Sequence, residues 1–304
     1  MKARLILFLS LLALLVNCSK EDPFVLEIKS FPNRKNDFSL WQLEQYKGIS
    51  QMGYIIRTDG KKIIMVDGGS EETTDLVVEY INQLGGKVDY WILTHTHHDH
   101  VGVLKEILEK KRNIEINSII HSKLDLELIG LHEPRSLDYT RNFYERLDVS
   151  GINQYIPKLG EELNLDLGVK MNILGVDNPN ILVNLINNSS LVFKIESNSK
   201  SILFTGDLGV EGGNRILSRN SELLRSTHVQ MAHHGQDGVS KEFYEMVSPK
   251  VALWPTPTWL WENNLEARGF DSGPWKTLVV KNWMDELNIA QHVVAGIEGT
   301  TQID

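Results

Sequence analysis

Thr94-His95-Thr96-His97-His98-Asp99-His100 gathers four of the chain's ten histidines into six residues. The apolar run 88–93, read as a strand, leads straight into it, and residues 102–110, read as a helix, lead away. Imidazole nitrogen and carboxylate oxygen are the donors that borderline divalent metals prefer. His95 and His97 stand two apart, so on an extended segment both side chains project to one side, toward one ion. Asp99 and His100 can then serve a neighbouring ion. His98 fills the spacer position and is expected to face solvent.

Outward from this loop, strands and helices alternate. Upstream, residues 24–30, 49–57 and 61–66 read as strands, the last ending in the turn Asp67-Gly68-Gly69. Leu76, Val77, Tyr80, Ile81 and Leu84 form the stripe of a helix over 73–84, closed by Gly85. Downstream, 116–120 is a buried strand with His121 at its end. Residues 124–163 are polar and partly helical around 137–147, which marks an insertion or lid. The second half repeats the scheme. A hairpin of 191–196 with 201–205 runs into Gly206-Asp207, then come a helix over 214–225 and a strand over 228–231. His233-His234-Gly235 follows at once. Helices over 241–247 and 275–287 and strands over 251–254, 292–294 and 301–303 complete the chain. Two alternating halves predict an α/β fold in four layers, αββα, as one domain over residues 18–304.

The pattern His95-x-His97-x-Asp99-His100, between a strand and a helix, resembles the ligand loop of the metallo-β-lactamase superfamily. Leu203-Phe204-Thr205-Gly206-Asp207 is similar to that family's strand-Gly-Asp element, and His233-His234-Gly235 to its last metal-histidine element. The resemblance implies a four-layer sandwich of metallo-β-lactamase type. It also implies His95, His97, Asp99, His100, Asp207 and one of His233 and His234 as metal ligands, with Asp207 bridging two ions. His233, the first residue off the strand, is slightly favoured; the other histidine is then free to hydrogen-bond substrate or a ligand carboxylate. Many members supply a further histidine to the first ion ahead of the hairpin, where this chain has Asn187-Asn188-Ser189-Ser190. That departure is similar to the branch containing the nuclease-like domain of ComEC DNA-uptake proteins and the phosphorylcholine esterases. Asn187 and Asn188 are thereby candidates for touching substrate or supporting a ligand. His121 either replaces the missing histidine or is a loop residue, and Asp67 either orients a ligand ring or only supports its turn.

The implied cofactor is a pair of divalent ions, zinc foremost, with manganese or iron as alternatives. They would share a hydroxide whose pKa is lowered toward ~7, with Asp99 orienting it. No Gly-x-Ser-x-Gly or catalytic-cysteine motif offers a protein nucleophile. The expected activity is metal-dependent hydrolysis of a phosphodiester-type substrate. The alternatives are hydrolysis of a carboxylic ester or lactone on the same scaffold and a non-catalytic surface binding module, which the full ligand set argues against.

Composition narrows the partners. With 31 Lys+Arg against 40 Asp+Glu the formal charge is −9, which disfavours nucleic acid as substrate although a small-molecule phosphodiester remains open. Arg135, Arg141 and Arg146, or Lys110, Lys111 and Arg112, form either a local basic patch or solvated helix faces. Trp254, Trp259 and Trp261 lie in one aromatic-proline stretch and form either core or a wall for an apolar or cationic substrate. The single cysteine, Cys18, excludes an intramolecular disulfide. It closes a leader: Lys2 and Arg4 precede an apolar run over 5–16, as in a signal peptide, and Leu15-Val16-Asn17-Cys18 resembles a bacterial lipobox. Residues 1–17 are expected to be removed and Cys18 acylated. That would anchor the protein to the bacterial envelope at the outer membrane, with Ser19-Lys20-Glu21-Asp22 similar to a cell-surface export signal. Loss of Lys2 and Arg4 shifts the charge from −9 to −11.

Overall fold

Side-chain alternation along the strands places two sheets back to back. In Gly53–Thr58, Tyr54 and Ile56 face the second sheet while Ile55 faces the outer helices. Ile64 and Val66 of Ile63–Asp67 join the former set, Ile63 and Met65 the latter. The computed structural model describes residues 25–29 and 35–303; the leader and Cys18 lie outside the described residues.

From edge to edge the first sheet runs Thr301–Ile303, Phe38–Gln42, Gly53–Thr58, Ile63–Asp67, Tyr90–Ile92, Ser118–Ile120 and Asn153–Tyr155. The second runs Gln291–Val294, Val251–Trp254, His228–Gln230, Ser201–Phe204, Val192–Glu196, Val169–Gly175 and Glu162–Asp166. Phe193, Phe204, Met171 and Leu253 of the second sheet meet Phe38, Leu40, Tyr54 and Ile92 of the first in one inner core. Helices α1 (Thr74–Gln83), α2 (His98–Lys110), α3 (Leu126–His132) and α4 (Pro134–Val149) belong to the first half. Val77, Ile81, Leu104, Phe143 and Leu147 pack with Met65 and Trp91 on the outer face of its sheet. On the outer face of the second sheet, Ile216, Phe243, Val280 and Met284 pack with Val229 and Ala252. The layers are therefore αββα, as the alternation predicts.

Several local expectations change. Residues 25–29 form no strand. Their backbone is tied by side chains instead, Leu26 N donating to Gln83 Oε1 at 2.8 Å and Trp41 Nε1 to the Glu27 carbonyl at 2.8 Å. The strands Phe38–Gln42, Glu162–Asp166 and Val169–Gly175 escaped the sequence reading. Residues 124–163, expected as an insertion or lid, are built into the outer layer. Phe143 and Leu147 are buried on the sheet, and Asn153–Tyr155 pairs in parallel with Ser118–Ile120 as its edge strand. Helix α2 begins at His98 rather than Gly102, so Asp99 and His100 occupy its first turn, where an acidic side chain is favoured by the helix dipole.

Parallel strands in each sheet end on loops that carry the chemistry. Tyr90–Ile92 runs toward Thr94, Ser201–Phe204 toward Asp207 and His228–Gln230 toward His234. Loops at the carboxyl ends of parallel strands are where α/β folds bind their ligands.

Candidate metal centre

Asp67 organises the ligand loop. Buried at the end of its strand with φ +53°, it accepts from Thr94 N at 2.7 Å and Thr94 Oγ1 at 2.8 Å, and its Oδ2 lies 2.7 Å from His100 Nδ1. With Nδ1 donating to that carboxylate, Nε2 of His100 is left as the free acceptor facing the other ligands. The first sheet is joined to the second here, because Leu191 N donates to the Thr94 carbonyl at 2.7 Å. Gly206 turns the chain from the second sheet with φ +56°, and a Cβ there would lie 2.8 Å from both Thr94 Cβ and Ser190 Oγ. Asp207 is thereby laid against His100.

The donor atoms converge. Asp207 turns Oδ1 to His100 Nε2 at 3.3 Å and Oδ2 to His95 Nε2 at 3.8 Å and His234 Nε2 at 3.7 Å. His234 Nε2 lies 3.1 Å from Asp99 Oδ2, and His95 Nε2 lies 3.1 Å from His97 Nδ1. Ligands about 2.0–2.2 Å from a tetrahedral ion stand roughly 3.3–3.6 Å apart, which these separations straddle. Two sets follow, His95 with His100 and Asp207, and Asp99 with His100 and His234, each with its donor atoms within 4.8 Å of one another. His100 Nε2, Asp207 Oδ1 and His234 Nε2 are buried yet satisfied by no hydrogen bond. Buried polar atoms are ordinarily paired, so a shared cation suits this donor set.

The charges agree. Burial alone would raise the carboxyls of Asp207 and Asp99, but the neighbouring His100 and His234 outweigh it and hold both well below the usual range. Burial pushes the His95 imidazole down and His100 adds to this, so His95 stays neutral and able to ligate. For His100, burial is outweighed by Asp207, Asp67 and Asp99, and its pKa lies well above that of an ordinary histidine. His234 is raised too, burial being overcome by Asp207 and Asp99.

A proton therefore competes with a metal ion for His100 and His234 at pH values where free imidazole, near ~6.5, is already neutral. Metal uptake at pH 7 should release protons, and apparent affinity should rise as pH climbs past ~6.5. Titration calorimetry in two buffers of different ionisation enthalpy counts those protons; none released would contradict the assignment. The sign reverses for the stability of metal-free protein. A raised histidine stabilises fully below its unfolded value and loses that contribution as pH rises through the folded one. Melting of the metal-free form should thus fall as pH is raised above ~6.5.

Placement of the remaining residues reverses the preference for His233, decides the alternatives left open for His121 and moves Asn188 out of the centre. The cluster takes His234, not the favoured His233. Both carry left-handed φ, +51° and +55°, at a cost of roughly 1–2 kcal/mol each. This reversal leaves His233 partly exposed with Nε2 3.9 Å from Asp207 Oδ2, while His234 turns inward with Nδ1 donating to the Pro255 carbonyl at 2.8 Å. His121 does not replace the missing ligand: its Nδ1 lies 2.9 Å from the Ser122 carbonyl and its Nε2 3.0 Å from Gln154 Oε1. Asn188 serves the fold, its Oδ1 accepting from Gly212 N at 2.9 Å and its Nδ2 donating to the Val183 carbonyl at 2.8 Å. Asn187 stays buried beside it with Oδ1 unpaired. His98 faces solvent. Trp254 is fully buried, Trp261 packs on it edge-to-face and carries Lys281 at 3.7 Å, and Trp259 packs against Trp275.

One residue was missed altogether. Glu133, between α3 and α4, accepts from Ile186 N at 3.0 Å through Oε1 and holds Oε2 3.6 Å from His97 Nε2. Burial, which would raise its carboxyl, is outweighed by His97 and the Ile186 amide, and its pKa falls below the usual value. It turns Nδ1 of His97 toward His95. No local signal marks it, because both partners are distant in sequence.

Comparison with known proteins agrees with this architecture. Over 180 residues, 59% of the chain, it is 26% identical to ComE operon protein 3 of Bacillus subtilis, of which the match spans 21%. The metallo-beta-lactamase fold protein YhfI of Bacillus subtilis superposes with a TM-score of 0.53 at 11% identity, covering 87% of this chain and 100% of that one. CmlA, a diiron beta-hydroxylase from Streptomyces venezuelae, superposes with a TM-score of 0.53 at 13% identity, covering 89% of this chain and 54% of that one. Residues 48–270 match the family model described as "Metallo-beta-lactamase superfamily", and the chain belongs to that superfamily of metal-dependent hydrolases.

Proposed function

We propose that this chain is an envelope-anchored, metal-dependent phosphodiesterase. The observation that carries the reading is the placement of Asp207, whose two oxygens face different histidines, so that one carboxylate could serve two ions. With His100, common to both clusters, given to one ion only, His95, Asp207 and the adjacent His97 would hold one ion, and Asp99, His100, His234 and Asp207 the other. Ions so held act as Lewis acids and lower the pKa of a bound water. The chain's own part is to fix the ligands. Asp67 and the Pro255 carbonyl each hold one ring nitrogen of His100 and His234, so that the other faces the centre. Asp99 is the more exposed carboxylate, at 17% against 4% for Asp207, and is the one within reach of an incoming water.

Two observations favour phosphate over carboxylic esters. No histidine stands in the Asn187-Asn188 segment, and ComE operon protein 3 is among the relatives that the chain matches. The test is a side-by-side assay of bis-p-nitrophenyl phosphate, p-nitrophenylphosphorylcholine, nitrocefin and an aryl acetate with metal-loaded protein. Faster turnover of nitrocefin or the acetate would overturn the phosphodiester reading, and metal analysis below one equivalent would overturn the hydrolase reading. The same analysis decides among zinc, manganese and iron. Anchoring through Cys18 predicts that labelled palmitate enters the wild type but not Cys18→Ser. Label retained in that variant would refute it.

A further inference from the structure

Beside the proposed first metal site lies a cavity of about 230 Å³, lined by Thr96, His97, His98, Arg135, Ser136 and Tyr139. One wall is the ligand loop and the other the first turns of α4. Since one water takes about 30 Å³ of liquid, the space suits a group of a few heavy atoms attached to a substrate, not a whole substrate.

Arg135 is the only lysine or arginine on its lining. Elsewhere on this acidic chain the cations named as a basic patch are mostly neutralised. Arg141 pairs with Asp138 at 2.7 Å, Arg146 with Glu109 at 3.3 Å, Arg112 with Asp75 at 2.9 Å, and Lys110 with Glu106 at 2.5 Å. Arg135, an exposed residue, makes no ion pair or hydrogen bond with any described residue, and no carboxylate lines the cavity beside it. The acids bonded to or flanking the cavity's elements are committed elsewhere: Glu133 to His97 and Ile186 N, Asp138 to Arg141, and Glu71 to Lys105 at 2.9 Å and the Tyr139 hydroxyl at 3.3 Å. The Ser136 hydroxyl has no hydrogen-bond partner among the described residues either. An unpaired guanidinium presents a planar fork of donors that matches the oxygens of a phosphate.

We infer that Arg135, with Ser136, forms a subsite for a second anionic group of the substrate, one position away from the scissile phosphodiester. This rests on the phosphodiesterase reading and refines it. The preferred substrates carry a further phosphate, and a quaternary ammonium group is disfavoured at this position because it would face a like charge. Arg135 acts on specificity and touches no reacting atom.

The probe set is thymidine 5′-(p-nitrophenyl phosphate) with and without a 3′-phosphate, and the isomer with the ester at 3′ and the free phosphate at 5′. A charge-assisted contact of this kind corresponds to at least about a tenfold preference in kcat/KM for one phosphate-bearing isomer. In Arg135→Ala that ratio should fall toward one. Arg135→Lys, which keeps the charge without the fork, should give an intermediate ratio. A wild type without preference for either isomer, or a preference that survives Arg135→Ala, overturns the subsite. A second measurement stands apart from turnover. Metal-loaded protein should bind thymidine 3′,5′-bisphosphate at least about fivefold more tightly than thymidine 5′-monophosphate, and Arg135→Ala should erase the difference. Bisphosphate binding through Arg135 in a protein that cleaves no diester would keep the subsite and sink the hydrolytic reading. Equal binding of the two nucleotides by the wild type would sink the subsite alone.

Discussion

Asp207→Ala should lower kcat/KM on a phosphodiester by at least about a thousandfold while the far-UV circular dichroism stays unchanged. Metal-assisted charge stabilisation contributes several kcal/mol, and each ~1.4 kcal/mol is a factor of ten. The side chain is small and sits on the loop after Ser201–Phe204, so its loss opens little space in the inner core. Its absence leaves His95, His100 and His234 without their common carboxylate, and bound metal should drop by one equivalent or more. Asp207→Asn keeps the shape but replaces a charged carboxylate oxygen with an amide, and should behave like the alanine variant. Full activity in either would show that the two sites do not share this residue.

Asp67→Ala should be the most damaging substitution for the fold of the site. It strands Thr94 N, Thr94 Oγ1 and His100 Nδ1 in a buried setting, and a stranded buried group costs about 1–3 kcal/mol. Alanine also tolerates the left-handed backbone poorly, adding roughly 1–2 kcal/mol. A loss of about 4 kcal/mol or more in denaturant unfolding is therefore expected. Asp67→Asn keeps acceptance from Thr94 N through its single amide oxygen and tolerates the positive φ, but its NH2 can only donate toward Thr94 Oγ1 and His100 Nδ1, which favours the tautomer that places the proton on His100 Nε2. That variant should recover most of the stability while binding metal about 10–100-fold more weakly. Equal metal affinity in Asp67→Asn and wild type would mean that the carboxylate serves only the turn.

Much of the centre was legible because its chemistry sits where apolar strands stop. Tyr90–Ile92 and Ser201–Phe204 are short, mainly apolar strands that break into polar residues at a ligand loop, and the apolar pair Met231-Ala232 stops at His233. What stayed hidden depends on direction or on distance along the chain. His233 and His234 are adjacent, and only the two left-handed turns decide which ring points inward. Glu133 reaches His97 through folding alone. The first turn of α2 is polar, and the apolar stripe that announces a helix begins only at Val101. Phe38–Gln42 escaped because its burial on both faces mixes Ser39 and Gln42 with Phe38, Leu40 and Trp41, which erases the alternation of a strand with one wet face.

The edge strand Thr301–Ile303 has a consequence for timing. It pairs antiparallel with Phe38–Gln42, placing Leu40 opposite Ile303, so residues from near the two ends of the described chain are neighbours in one sheet. During synthesis Phe38–Gln42 emerges long before Thr301–Ile303, and one of its edges stays unpaired in the interval. Contacts between distant parts of a chain form slowly, and an unpaired strand edge invites association with other chains in the interval. The first sheet therefore reaches its full width only once residues about 260 positions apart in the chain have met.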